Sequence, residues 1–267
     1  MTSPTGVAAQ HDDYVDFCKG IQRLSTIDLL RYKRGQMERR IRTFAERRGA
    51  AELPGYLQIL RSQPEELEQF LDRVTINVSE LWRNPEQWQL LERRIVPELA
   101  QAGRIRALSA GCSYGAEAFT VAATCLTAAP RAKTTIAGVD IDRRMVERAR
   151  QARFSASDAR GAPREALDRW FTPRDDGGWD ARPELRAICR FDVGDLLELR
   201  PREQAYDLVL CRNTVIYFTD DVRDDVHARL ATALRPGGYL IVGATERVSD
   251  PAGRGLELAR PFTYRKL

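Results

Sequence analysis

From Arg104 onward the sequence alternates short apolar runs with stretches of helical periodicity. RIRALSAG is followed by a helix from about 115, TTIAGVDI by a helix from Arg143, then come ICRFDVGDLL, YDLVLCRN, a helix from Thr219, and YLIVGAT. Parallel strands need a crossover between them, and a helix is the usual one, so this alternation dictates an α/β domain around a mostly parallel sheet. Residues 14–92 read instead as helices: Phe17, Ile21 and Leu24 recur at helical spacing, as do Met37, Ile41 and Phe44, and Leu67, Phe70, Leu71 and Val74. Pro54-Gly55 and Pro64 punctuate them. Residues 154–189 break the alternation, and their Asp-Gly-Gly suits a hairpin turn, so a small β insertion is expected there. The expected organisation is a flexible N-terminus over 1–13, a helical domain over 14–92 and an α/β domain over 93–267.

Composition narrows the function classes. A chain of 267 residues with 43% hydrophobic content can build a packed core. No apolar run reaches the roughly 18 residues of a membrane span, and the N-terminus lacks a signal peptide's apolar core, so a cytoplasmic protein without membrane insertion is expected. The five cysteines form no C-x-x-C pair, and the two histidines, His11 and His227, lie far apart. Reduced thiols and no metal site are the consequence. A net charge of +4 does not argue for a nucleic-acid partner, and a monomer is expected.

The stretch LSAGCSYGAEAF at 108–119 has a glycine turn after a strand, but Gly111 and Gly115 do not complete the G-x-G-x-x-G of a dinucleotide site. Small residues at Ala110, Gly111, Ser113 and Gly115 let a ligand approach the backbone. Glu117 adds a carboxylate, which repels a pyrophosphate and accommodates a cationic amino-acid group. Asp140 ends the next strand, where acidic residues take ribose hydroxyls in doubly wound folds. A positively charged nucleoside suits both carboxylates, and S-adenosylmethionine is one.

Three further stretches, TINVSELWRNPEQW at 75–88, CRNTVIYFTD at 211–220 and RPGGYLIVGATE at 235–246, join SAGCSYGAEAF and GVDIDRRMVERAR. Together they resemble the CheR family of chemotaxis protein-glutamate O-methyltransferases, from Tyr14 to the closing PFTYRK. The resemblance implies a helical N-terminal domain with a class I, Rossmann-like methyltransferase domain of the α/β class. It also implies S-adenosylmethionine as methyl donor, S-adenosylhomocysteine as product, and the cytoplasmic domain of methyl-accepting chemoreceptors as partner.

Carried over by position, the resemblance assigns Asn77, Ser79 and Arg83 to the cofactor and acceptor site. Ala110, Gly111, Glu117 and Asp140 form the cofactor turn and ribose position. Asp195 and Leu196 fall near the adenine, where the family usually has Asn-Leu, and Arg212 and Asn213 beside the adenosyl group. Tyr217 is implied to face the transferring methyl, which makes Arg83 and Tyr217 the expected catalytic residues. Leu81-Trp82 replaces the family's usual Phe-Phe, Ala116 and Ala118 its common Glu and Pro, and Ala244 its frequent His. Some members also dock a receptor tail peptide on the β insertion; the short hairpin here implies no dependence on one.

The basic stretch at 31–48 holds eight Arg and Lys against Glu38 and Glu46. Helical phasing puts Met37, Ile41 and Phe44 on one side, with Arg39 and Arg42 opposite and Arg40 and Arg47 flanking. These four arginines are expected to dock an acidic receptor bundle; the alternative is a solvated face. Two rival functions share the cofactor fold, methylation of a nucleic-acid base or small molecule, and cofactor binding without turnover. The first would normally carry an Asn/Asp-Pro-Pro-aromatic segment where this chain has Cys211-Arg212-Asn213-Thr214.

Overall fold

Four aromatic rings set the core of the N-terminal helices. The computed structural model describes residues 12–75 and 78–267, so Asn77 lies outside the described residues. Helices α1 (Asp13–Leu24), α2 (Arg34–Arg47), α3 (Leu53–Ser62) and α4 (Pro64–Val74) bury Phe17, Phe44, Tyr56 and Phe70, whose ring centroids lie 5.8–6.4 Å apart where they pair. The expected stripe of Met37, Ile41 and Phe44 is buried on α2. Asp12 caps α1, accepting from the amides of Tyr14 and Val15, and Asp13 lies in its first turn, which is acidic as a helix N-terminus favours. Asp12 and Asp13 therefore belong to an ordered helix start rather than to the flexible stretch expected over 1–13.

By packing, the chain divides into two units, Met1–Ile76 with Tyr217–Thr219, and Asn77–Ile216 with Asp220–Leu267. The division falls earlier than the 92 read from periodicity. The reason is that α5 (Pro85–Leu90), a π-helical turn at Leu91–Ile95 and α6 (Val96–Leu99) send Trp88, Leu91, Ile95, Val96 and Leu99 into the same buried cluster as Ile105 and Phe119 of the α/β unit. The π turn precedes Pro97, which lacks an N–H and whose ring crowds the carbonyl four residues back.

The α/β unit continues through β1 (Arg104–Ala110), α7 (Ala116–Ala128), β2 (Lys133–Asp140) and α8 (Arg143–Gln151). The insertion follows: β3 (Arg153–Phe154), α9 (Arg164–Trp170), β4 (Phe171–Pro173), β5 (Trp179–Ala181) and α10 (Pro183–Ile188). Then come β6 (Cys189–Val193), β7 (Tyr206–Cys211), α11 (Asp220–Ala233), β8 (Leu234–Val242), β9 (Leu256–Arg260) and β10 (Thr263–Lys266). The main sheet runs β6-β2-β1-β7-β8-β10-β9, parallel except where β10 pairs with β8 and β9. This is a doubly wound, Rossmann-like α/β fold. The strand order reverses between β1 and β7, so a ligand crevice belongs at their carboxyl ends. The insertion forms its own sheet, β3-β5-β4, with Asp176-Gly177-Gly178 in the hairpin turn. Helices α9 and α10 were not read from sequence, being only 7 and 6 residues long. Among the described residues no helix is long and apolar enough to cross a membrane.

His227 of α11 is fully buried, and neither ring nitrogen has a hydrogen-bond partner. Burial pushes it down to about 4, helped by the charges of Arg223 and Arg254 and opposed by Asp224. The native ring stays neutral while the unfolded one binds a proton near its ordinary 6.5, so stability is complete above that value and lost as pH falls toward 4. At about 1.4 kcal/mol per unit of depression, the loss is about 3 kcal/mol. His227→Leu should flatten this part of the acid limb in denaturant titrations at pH 7 and 4.5; equal losses in both proteins would overturn the assignment.

Candidate active site

At the carboxyl end of β1 the chain turns through Gly111, with φ 80°, and Ser113, with φ 48°. A side chain at Gly111 would put its Cβ 2.4 Å from Thr214 Oγ1, so the turn depends on glycine for both conformation and space. The amides of Gly111 and Cys112 donate to Val139 O at 2.8 and 3.0 Å, which ties the turn to β2. Asp140, buried at the end of β2, accepts from Ser113 N at 2.7 Å and from Asp142 N at 2.9 Å. Burial pushes its carboxyl up, and the two amides only partly oppose this.

Glu117, in the first turn of α7, is likewise buried. Its oxygens accept from Ser109 Oγ at 2.7 Å and from Arg212 Nη1 at 3.2 Å. Burial raises its pKa, with Arg212 and Ser109 opposing. Arg212, just past β7, is buried as well, and its donors are distributed over the other side of the site. Nε reaches Gln87 Oε1 at 2.8 Å, and Nη2 reaches Arg83 O at 2.7 Å and Asn84 Oδ1 at 3.0 Å. The guanidinium also lies 4.9 Å from the Trp88 ring centroid. Burial lowers its pKa and Glu117 opposes this, which is the behaviour of a structural ion pair.

Trp82 and Asn84, on either side of Arg83, have positive φ of 54° and 61°. Arg83 O also accepts from Trp88 Nε1 at 2.7 Å, while the Arg83 side chain, half-buried, donates to Val78 O at 2.9 Å. The backbone under Arg83 is thus fixed by Arg212 and Trp88. Ser79 O accepts from the Tyr114 hydroxyl, and Leu81 N donates to Asp158 O at 2.8 Å, so the insertion supports the segment ahead of Arg83.

The other expected positions fall as follows. Ala110 is fully buried at the end of β1. Asn213 takes a left-handed conformation, φ 57°, with its amide donating to Glu246 Oε2 at 2.9 Å. Asp195 accepts from Leu197 N at 2.8 Å in a local turn, and buried Leu196 accepts at its carbonyl from Arg229 at 3.0 Å. The neighbouring Gly194 N donates to Asp140 O at 2.9 Å, which brings this loop to the end of β2. Ser109, Gln87, Asn84 and Glu246 were not singled out from sequence. All four stand inside the motifs that carry the resemblance, which was their only signal. All five cysteines are buried, and for Cys211 burial pushes the thiol well up.

Tyr217 packs with the helical unit. Its carbonyl accepts from Lys33 N at 2.8 Å, Thr219 N donates to Arg31 O at 3.0 Å, and Tyr32 and Phe218 form an antiparallel bridge with ring centroids 5.0 Å apart. Within that unit Tyr217 lines a pocket of about 160 Å³ with Lys33, Gln36, Met37, Arg39 and Arg40. The basic helix needs one correction. Arg42, expected as a docking charge, donates to Asp13 at 2.8 Å and Glu38 at 2.7 Å, because α1 supplies acids that a charge count along α2 alone does not include. Arg39 and Arg47 remain exposed.

The donor and acceptor set at the β1–β7 switch fits S-adenosylmethionine. Two buried carboxylates whose burial is incompletely compensated by protein donors suit an ammonium and ribose hydroxyls, and the Gly111 turn leaves its backbone open to close approach. The CheR methyltransferase, SAM binding domain matches residues 77–256, and the CheR methyltransferase, all-alpha domain matches residues 12–75. A chemotaxis protein methyltransferase of Listeria innocua is 30% identical over 256 residues, 95% of this chain and 97% of the relative. Chemotaxis protein methyltransferase 1 of Pseudomonas aeruginosa is 28% identical over 255 residues, 91% and 93% of the two chains. The chain therefore belongs to the CheR family of S-adenosylmethionine-dependent methyltransferases.

Proposed function

We propose that the protein transfers a methyl group from S-adenosylmethionine to glutamate side-chain carboxylates on chemoreceptor cytoplasmic helices, forming methyl esters. The observation that carries the acceptor class is the pocket at Tyr217, whose charged lining residues, Lys33, Arg39 and Arg40, are all cationic. That lining suits an anionic acceptor better than a neutral base edge. The buried, proton-bearing state of the Cys211 thiol also disfavours base methylation through a cysteine nucleophile.

The bound cofactor supplies an electrophilic methyl on a sulfonium. Asp140 would hold its ribose, Glu117 its amino-acid end, and the Ala110–Gly111 turn its backbone-facing edge. A glutamate side chain, with an ordinary pKa of about 4.3, is already a carboxylate near pH 7, so the protein needs no proton acceptor. Its task is orientation, and Arg83 offers a planar fork of donors to one carboxylate. Arg83 stands on a backbone that Arg212 and Trp88 restrain, which suits a positioning task. Tyr217 supplies a directional hydroxyl, and Arg39 and Arg40 attract the acidic helix. Arg47 adds exposed charge, whereas Arg42 acts through its bonds to Asp13 and Glu38.

Asp140→Ala should weaken S-adenosylhomocysteine binding by about 1–3 kcal/mol in calorimetry, since it leaves ligand hydroxyls unpaired. Unchanged affinity would move the cofactor away from β2. Arg83→Ala should lower kcat about a hundredfold on receptor fragments, with a smaller loss in Tyr217→Phe. No limb of the kcat profile should require a deprotonated enzyme group near pH 7, and such a limb traced to chemistry would contradict the base-free scheme. Arg39→Glu should raise KM for the receptor several-fold at low salt while leaving cofactor affinity alone, and the wild-type rate should fall as ionic strength rises. Radiolabel appearing in tRNA or DNA instead of receptor fragments would reject the acceptor class.

A further inference from the structure

Glu246 is 4% exposed and belongs to no motif with an assigned task. Its backbone amide closes a turn onto Gly243 O at 2.9 Å, just beyond β8. That turn folds the carboxylate back so that one oxygen, Oε2, accepts from two amides, Gly243 N at 2.5 Å and Asn213 N at 2.9 Å. The two donors lie past the ends of adjacent parallel strands, β8 and β7. Gly243 makes room for this reach, because a Cβ there would lie 2.4 Å from Oε2 and 2.9 Å from Asn213 N.

Asn213 sits in the left-handed region, which asparagine enters more readily than most residues with a side chain and which sets the turn's direction here. Its amide donates to Glu246 Oε2, which ties this turn to the end of β8. The residue after it, Thr214, covers the Gly111 turn closely enough that no side chain fits between them. The residue before it is Arg212, whose guanidinium carries the Arg83 backbone. A change in Asn213 therefore moves both neighbours, one over the turn and one under Arg83. The second carboxylate oxygen of Glu246, Oε1, is buried with no protein partner.

We infer that Glu246 is a positioning residue for the cofactor site, acting through the Asn213 amide to set the Arg212–Thr214 turn against Gly111. This rests on the S-adenosylmethionine reading of the β1–β7 crevice and extends it to a residue that lies outside the assigned binding set. What the role requires is an acceptor atom at the place of Oε2, not a charge, because the amides of Gly243 and Asn213 converge on that one oxygen.

Glutamine reproduces that acceptor through its carbonyl and puts its amide nitrogen in place of the unpartnered oxygen. Aspartate is a methylene too short, and alanine has no acceptor. Calorimetric titration with S-adenosylhomocysteine, together with thermal midpoints of the ligand-free proteins, should separate the possibilities. Glu246→Gln should bind within about threefold of wild type. Glu246→Ala should bind at least tenfold more weakly. If Glu246→Ala does not fold, Glu246→Asp takes its place in the comparison with the same expected loss. Wild-type affinity in a folded Glu246→Ala or Glu246→Asp would overturn the inference. So would a Glu246→Gln as weak as Glu246→Ala, since charge and not the acceptor would then be the requirement. Failure of the wild-type protein to bind S-adenosylhomocysteine would instead remove the underlying cofactor reading.

Discussion

The buried guanidinium of Arg212 is the interaction on which the rest of the site depends. A charge of this size taken out of water is tolerated only when its donors meet well-placed acceptors, and leaving a buried partner unpaired costs about 3–5 kcal/mol. Here the acceptors come from three places: Glu117 on α7, Gln87 on α5, and the Arg83–Asn84 backbone and side chain. Satisfying one arginine therefore fixes the start of α7, the first turn of α5 and the two residues just ahead of α5. The two left-handed residues beside Arg83 are sustained by that restraint, since such conformations persist where surrounding bonds over-determine them.

Buried acids at the two ends of the sheet behave differently, and the contrast indicates where a ligand belongs. Asp207, at the amino end of β7, is 1% exposed, yet bonds from Arg235 and Arg106 outweigh its burial and hold its carboxyl below the usual range. At the carboxyl ends, burial wins at Glu117, Asp140 and Glu246, and all three are pushed up. The first end is an internally balanced structural cluster. The second is a set of carboxylates that the protein's own donors do not fully compensate, a condition that a ligand with donors and positive charge relieves. The rigid amides gathered by Asp140 and Glu246 mean that little reorganisation is left for the moment of binding.

Much of this was readable from residue order because it is local. The strands of the α/β unit announced themselves as short apolar runs, α2 by the spacing of Met37, Ile41 and Phe44, and the Gly111 turn by its small residues. What escaped was non-local or short. The helices α9 and α10 span too few turns to establish a period. The pairing of Arg42 with Asp13 joins two helices, and the contacts of Arg212 with Gln87 and Arg83 join positions more than a hundred residues apart, so no window along the chain contains them. The motifs shared with the family flagged the stretches containing Arg212 and Glu246, but only coordinates separate a residue that holds the backbone from one available to a ligand.

Charge is sorted between the two units in a way that follows from what each is proposed to hold. The carboxyl ends of the parallel sheet gather buried carboxylates, suited to a cofactor with a sulfonium and an ammonium. The pocket of the helical unit around Tyr217 gathers Lys33, Arg39 and Arg40, suited to an anionic acceptor. Methylating a carboxylate brings a cationic donor together with an anionic nucleophile, so each reactant needs surroundings of the opposite sign and neither needs a proton moved near neutral pH. A chain performing this reaction has no use for a titrating base, and its one described histidine is instead buried, neutral and without a partner in α11. In the proposed reaction, catalytic demand then falls on placement alone. The most heavily bonded side chain of the site, Arg212, suits such a demand, because it holds the backbone beneath Arg83 and the carboxylate of Glu117.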